Sequence, residues 1–519
     1  MPGSTRSGGT IVAELCLKLH PKDTVSILAG RADTGDTPLG FGVPLDKPVT
    51  RGHKIANTDI PEGGGILKFG QLIGYAARDI KAGEHVHVHN CTFGDHGRDY
   101  EIGADLETAK AAIPEVAPRT FMGYRRADGS AGTRNYIAIC GTVNCSATVI
   151  RRAADIINHS GILDNYPHID GVAAFAHGTG CGMANSGPGF DNLQRVLWGY
   201  ATHPNVGAAL FVGLGCEQMQ LARMREIHGE MDESRFFMMT IQENGGTQKS
   251  IDKIVDHIKE LLSKVDEARR VEIPVSELKL ALQCGGSDGF SGITANPALG
   301  IASDLLVGMG GTVVLSETPE IYGAEQLLLR RAASKEVAEK LLARIKWWED
   351  YTEANHGSMD NNPSPGNKQG GLTTILEKSL GAVAKAGSTP LMDVLEYGEQ
   401  IREKGLLFMD TPGYDPVSAT GQIAGGAQIL CFTTGRGSAF GSKPTPTVKV
   451  ATNSALFASM PDDMDLNCGD ILSEGADLHK KGEELLDYLI ATASGQKTKS
   501  EALGLGDNEF VPWQVGATM

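Results

Sequence analysis

The stretch YIAICGTVNC, residues 136–145, decides the fold. Its apolar run, 136–143, shows no polar alternation and is too short for a typical helix, so it reads as a strand buried on both faces. The run stops at a thiol, Cys145. Three more apolar runs end the same way: 172–176 before GTGC at Cys181, 208–214 before Cys216 in GLGC, and 278–282 before Cys284 in LQC. Helical stretches separate several of these runs, and strands alternating with helices build a parallel sheet. In open α/β sheets the carboxyl ends of the strands form the ligand crevice. Thiols delivered there from separate segments point to a metal or reaction site.

Working outward, residues 121–270 form a middle α/β unit. Within it SIDKIVDHIKELLSKV places Ile251, Ile254, Val255, Ile258, Leu261 and Leu262 on one helical face. Residues 271–519 form a second α/β unit with strands near 278–284, 312–315, 406–409, 429–433 and 447–450. Residues 1–95 carry short alternating runs and many turns, the pattern of a small β domain. Residues 96–120 read as an extended linker.

The chain has 519 residues and a net charge of −16. No basic run appears, which argues against nucleic acid as a partner. No apolar run of about 18 residues is present, which argues against a membrane span. Nine cysteines in so long a chain do not make a disulfide scaffold, so the expectation is free thiols in the cytoplasm.

Longer strings are more specific. GYRRADGSAGTRNYIAI (123–139), TVNCSATV (142–149), FVGLGCE (211–217), LQCGGSDGFSGITANPALG (282–300), NPSPGNKQGGLTTILEKSLG (362–381) and FTTGRGSAFG (432–441) together resemble the altronate/galactarate dehydratase family. The resemblance implies a β-clip (SAF-like) first domain, a middle domain used in dimerisation, and a Rossmann-like last domain with a mainly parallel sheet. It implies loss of water from a sugar acid to give a 2-keto-3-deoxy acid. It also implies a divalent metal, Fe2+ before Mn2+, and a homodimer. AGEHVHVHN and ETPEIYGAEQLL lean toward D-altronate as substrate. Galactarate dehydratase is the alternative, as is a sulfolactate sulfo-lyase, whose small domain is usually a separate chain. A sugar-acid binding protein and a nicotinamide dehydrogenase are the rivals outside this class. The latter lacks a GxGxxG followed by an acidic residue.

The chemistry asks for a base at C2, help for the departing C3 hydroxyl, and fixed positive charge for the enolate. Cys145, Cys181 and Cys216 are the expected metal ligands, for one iron or for an iron–sulfur cluster, since soft sulfur suits iron. A harder oxygen site draws on Glu217, Asp288, Glu317 and Glu320, with Glu317 the expected ligand and a helix cap the other reading of both Glu317 and Glu320. His85, His87 and His89 alternate, so they are expected on one face of a strand, with His87 and His89 reaching substrate. His177 is the first choice for the general base or a metal ligand. Lys368, in a Gly-rich turn, is the second choice of base, and Arg436, between glycines, the carboxylate clamp. Asn296 is read as an N-cap or a contact to a substrate hydroxyl. Arg134 and Asn135 precede the first strand of the middle unit and are expected to be structural, at a subunit contact.

Overall fold

The structure, a computed structural model, describes residues 15–94, 97, 98, 100–229, 232 and 235–518. It divides into two compact units, each built around its own sheets.

The first unit joins the chain up to Gly97 with two later segments, Ser287–Phe290 and Asp360–Ser379. Its strands are short: β1 (Cys16–Leu17), β2 (Val25–Leu28), β3 (Lys54–Ala56), β4 (Gly65–Lys68), β5 (Gln71–Ala76), β6 (His85–Val86) and β7 (Cys91–Thr92). They form two antiparallel sheets, ordered β1-β2-β3-β6 and β4-β5-β7. Leu28, Ala32, Leu45, Val49 and Ile55 form one core cluster, and Val25, Ile27, Ile66, Ile73 and Ile80 are buried as well. Strands this short need further ties. One is steric: a Cβ on Gly289 would lie 2.0 Å from the Gly52 carbonyl oxygen, and one on Gly371 2.3 Å from it. Only glycine lets the SDG and QGG loops press onto residues 51–53.

The other tie is ionic. Glu377 accepts from Lys54 at 2.7 Å and from Lys68 at 2.9 Å. It also accepts from the amide and hydroxyl of Thr373, at 3.0 and 2.8 Å. Lys54 donates as well to the carbonyl of Gly371. All three charged side chains are buried. Burial alone would raise the Glu377 pKa, but Lys54 and Lys68 outweigh it and hold the carboxyl far below its usual range.

The second unit holds the two expected α/β modules. Strands β8 (Thr120–Arg125), β9 (Ala131–Gly132), β10 (Tyr136–Gly141), β11 (Gly171–Phe175), β12 (Val206–Gly213), β13 (Phe236–Thr240) and β14 (Arg270–Pro274) precede β15 (Lys279–Cys284), β16 (Thr312–Leu315), β17 (Leu391–Leu395), β18 (Gly405–Met409), β19 (Ile429–Thr434), β20 (Thr447–Ala451) and β21 (Leu466–Asn467). A parallel sheet runs β11-β10-β12-β13, and a seven-stranded parallel sheet runs β17-β18-β16-β15-β19-β20-β21. A three-stranded antiparallel sheet, β14-β8-β9, completes the unit.

The run at 136–143 has the predicted cause. Tyr136, Ala138 and Cys140 enter one core cluster, and Ile137 and Ile139 the other. Helix α1 (Ala147–His159) and helix α3 (Thr247–Asp266) cover the second face, and helix α2 (Pro188–Ala201) the first. The predicted face of α3 is buried at Ile251, Ile254, Val255, Ile258 and Leu262, with Val265 added and Leu261 half-buried. Both sheets reverse strand order at their centre: β11 and β12 flank β10, and β16 and β19 flank β15. These are the switch points where a crevice opens.

Among the described residues of 96–120 there is one short helix, Leu106–Ala111. Arg134 is structural, but its partners lie in its own chain: Glu501 at 2.6 and 2.8 Å and the carbonyls of Thr133, Thr492 and Gln496. Asn135 likewise spends its amide on the carbonyls of His168 and Val265.

Glu377→Gln leaves two buried ammonium groups facing an uncharged amide, and should cost about 3–5 kcal/mol, as broken buried ion pairs do. Urea unfolding at pH 7 reads this. Because the folded pKa of Glu377 is depressed, its contribution is fully present above about pH 4.3, the ordinary glutamate value. It is lost as pH falls below that. The variant should therefore show a shallower acid-side loss of stability than the parent.

Candidate functional site

In the first unit His53, His85 and His87 bring one ring nitrogen each within 4.8 Å of one another. His53 sits just before β3, and the antiparallel pairing of β3 with β6 sets Ile55 opposite His85. Nδ1 of His53 lies 3.1 Å from Nε2 of His85, and Nε2 of His53 lies 3.2 Å from the carbonyl of Gln369. Burial pushes the pKa of His85 down to about 2 and that of His87 to about 3. Both imidazoles are therefore neutral.

The strand expected to carry three alternating histidines is only two residues long. At His87 the chain turns, its carbonyl accepting from the amides of Asn90 and Cys91. The His85 and His87 rings still stack at 5.5 Å, while His89 is exposed. Alternation gave the wrong local geometry for the right neighbours, and His53 was missed.

Lys368 does not lie in a turn. It is half-buried in a short helix, Pro365–Gln369, opened by a capping box between Ser364 and Asn367. Asn367 also donates to the carbonyl of Ser287. The next residue, Gln369, holds His53. Asp288 is buried, and its carboxylate accepts from the amide of Phe290.

In the second unit Cys145, Cys181 and Cys216 are exposed, in the loops after β10, β11 and β12. These loops are tied to one another. Asn144 donates from its amide to Thr179 and from its side chain to His177, and the amides of Gln218 and Met219 donate to Gly180. A Cβ on Gly180 would meet the carbonyl oxygen of Thr142 at 2.1 Å, so the close crossing requires glycine. Among the described residues the three thiols do not form a group within 4.8 Å, so they do not present three sulfurs to one ion. Thiolates on separate irons of a cluster stand farther apart, and the soft donor set fits iron. Beside Cys216, a cleft of about 480 Å³ is lined by Gly215, Glu217, Gln220, Arg225, Gln242 and Glu243.

His177 is a brace rather than a free base. Its Nε2 lies 2.8 Å from the carbonyl of Gly141 and its Nδ1 accepts from the amide of Thr179 at 3.2 Å. Burial lowers its pKa to about 4. With both ring nitrogens engaged, it shapes the thiol loops. Glu217 does similar work, accepting from Thr142 at 2.7 Å and from the Gly215 amide at 2.6 Å.

Glu317 is separated from those three thiols and grouped with Cys284 and Glu320, all buried. It occupies the cap position of the turn Thr318–Glu320, but its side chain makes no cap bond. Lys385 reaches this group, 2.9 Å from the Cys284 sulfur and 3.8 Å from Glu317. Burial opposes its charge, yet Cys284 and Glu317 raise its pKa above the ordinary value. The lysine supplies part of the countercharge an ion would bring. Sequence reading missed Lys385, a lone lysine about 100 residues from its partner.

Asn296 is not the helix cap. Thr294 holds the cap position, and Asn296 is buried with its amide donating to Gly381 and its oxygen accepting from Thr433. Arg436 is exposed just past β19, between Gly435 and Gly437.

Comparison with known proteins divides the chain into three. Residues 14–93 match the altronate/galactarate dehydratase SAF domain, 123–266 the second domain of D-galactarate dehydratase/altronate hydrolase, and 275–518 the C-terminal domain of D-galactarate/altronate dehydratase. The chain is 38% identical to the altronate dehydratase of Bacillus subtilis over 490 residues, covering 93% of this chain and 96% of that one. It is 38% identical to the altronate dehydratase of Escherichia coli, with the same coverage. It is 36% identical to the E. coli galactarate dehydratase (L-threo-forming) over 94% of this chain and 95% of that one. The architecture is that of a two-module parallel α/β protein with a fused β domain. The chain belongs to the D-galactarate/altronate dehydratase family.

His177→Ala should lower stability by about 1–3 kcal/mol, the usual cost of orphaning buried hydrogen-bond groups. It should also raise the rate at which Cys181 reacts with a thiol reagent, because the loop loses its brace. Unchanged melting and alkylation would contradict this role.

Proposed function

We propose that the chain removes water from a sugar acid, D-altronate, to give a 2-keto-3-deoxy acid. Family membership along nearly the full length supports dehydration. The observation that carries the site is the set of three thiol loops tied together at a switch point, with a cleft beside the last of them, at Cys216. Such a crevice is where open α/β sheets bind ligands, and its size suits a six-carbon acid.

The reaction breaks the C2–H and C3–O bonds, releases hydroxide as water, and leaves an enol that takes a solvent proton at C3. The C2 proton is weakly acidic, so the enolate needs fixed positive charge. Iron held by Cys145, Cys181 and Cys216 would supply Lewis acidity. We read that iron as a cluster. Arg225 on the cleft wall and Arg436 past β19 are the cations we assign to carboxylate binding. The working form in this reading is a cytoplasmic homodimer.

The test is anaerobic purification with iron analysis, then turnover on aldonic and aldaric acids under reducing conditions. D-altronate should give the highest kcat/KM, and preference for galactarate would move the reading to that branch. Cys181→Ser should lower bound iron and abolish turnover; unchanged iron content would remove the thiols from the site.

A further inference from the structure

We propose that His53, His85 and His87 form a binding site for a divalent transition ion in the first unit, separate from the iron assigned to the thiols. Three observations support it. One nitrogen from each ring already lies within 4.8 Å of the others. Nδ1 of His85 and Nδ1 of His87 are buried with no hydrogen-bond partner among the described residues, an arrangement that native interiors avoid. An ion would satisfy such lone pairs.

The third observation concerns His53. Metal-bound histidines commonly donate their other N–H to a backbone carbonyl, which fixes the tautomer. Nε2 of His53 faces the carbonyl of Gln369 at 3.2 Å. That contact leaves the Nδ1 lone pair facing Nε2 of His85 at 3.1 Å. The backbone supports the same geometry, since β3 and β6 pair directly and Gly52 packs against Gly289 and Gly371. The nearby Lys54 charge does not compete for the site, because it is paired with Glu377.

Three imidazoles and no carboxylate select an ion of the iron–zinc type over magnesium or calcium. His89, exposed with its ring 5.4 Å from that of His85, lies outside the triad. Three protein ligands leave coordination positions for water or a ligand oxygen.

The test uses the full chain, freed of metal by chelation, with its exposed thiols alkylated, and Co2+ as the probe. The parent should bind one Co2+ per chain at this site, with visible d–d bands and no thiolate-to-cobalt charge-transfer band. His85→Gln with His87→Gln should lose that equivalent while keeping the parent's circular dichroism. If the double variant does not fold, His53→Gln alone should lose it. Equal Co2+ stoichiometry in parent and variants, or no binding by the parent, would overturn the proposal. The readout is metal content, so neither result depends on whether the chain dehydrates altronate.

Discussion

Glu377 is the constraint on which the first unit depends. Its carboxylate, about 310 residues along the chain from Lys68, takes two ammonium groups and two donors from Thr373 in a site closed to water. Such a group is costly to bury unless every oxygen is matched. Matched, it fastens residues 360–379 to strands too short to hold a domain by themselves. Lys368 and Gln369 are carried in that fastened segment, and Gln369 orients His53. The ion pair thus acts on function at one remove, by placing the groups that have chemistry to offer.

The second unit solves the same placement problem with backbone. Parallel strands buried on both faces leave little tolerance for polar side chains, so chemistry moves to the loops at their carboxyl ends. There the polar residues nearest the thiols build loops. His177 bridges the end of β10 to the turn at Thr179, and Glu217 bridges Thr142 to Gly215. Cys145, Cys181 and Cys216 are left exposed. Cys284, the last residue of β15, meets Glu317, Glu320 and Lys385 in a buried group. Thiols at or just past strand ends therefore meet two chemically different surroundings.

Those strand-end thiols were legible because a parallel strand announces itself as an unbroken apolar run with a defined end. The edge strand β17 was not, since it starts after Pro390, carries the polar Asp393 and shifts register against β18. The histidine cluster was half legible. Alternation singled out His85 and His87, but nothing local marks His53, which reaches them only through the β3–β6 pairing. Nothing local marks Lys54 and Lys68, and their partner, Glu377, is distant in sequence. His177 read as a base because a histidine beside thiols is suggestive. Its ring nitrogens meet a carbonyl on the neighbouring strand and an amide two residues on, contacts that no spacing rule reveals.

Fixed loops around a dehydrating site make one chemical outcome directly visible. Anaerobic, iron-loaded protein is given D-altronate in deuterated water, and the product is followed by proton and carbon NMR. The account predicts a 2-keto-3-deoxy acid with one solvent deuteron at C3, formed as the altronate C2 proton signal disappears. Altronate that persists unchanged, with iron bound and thiols reduced, would contradict it.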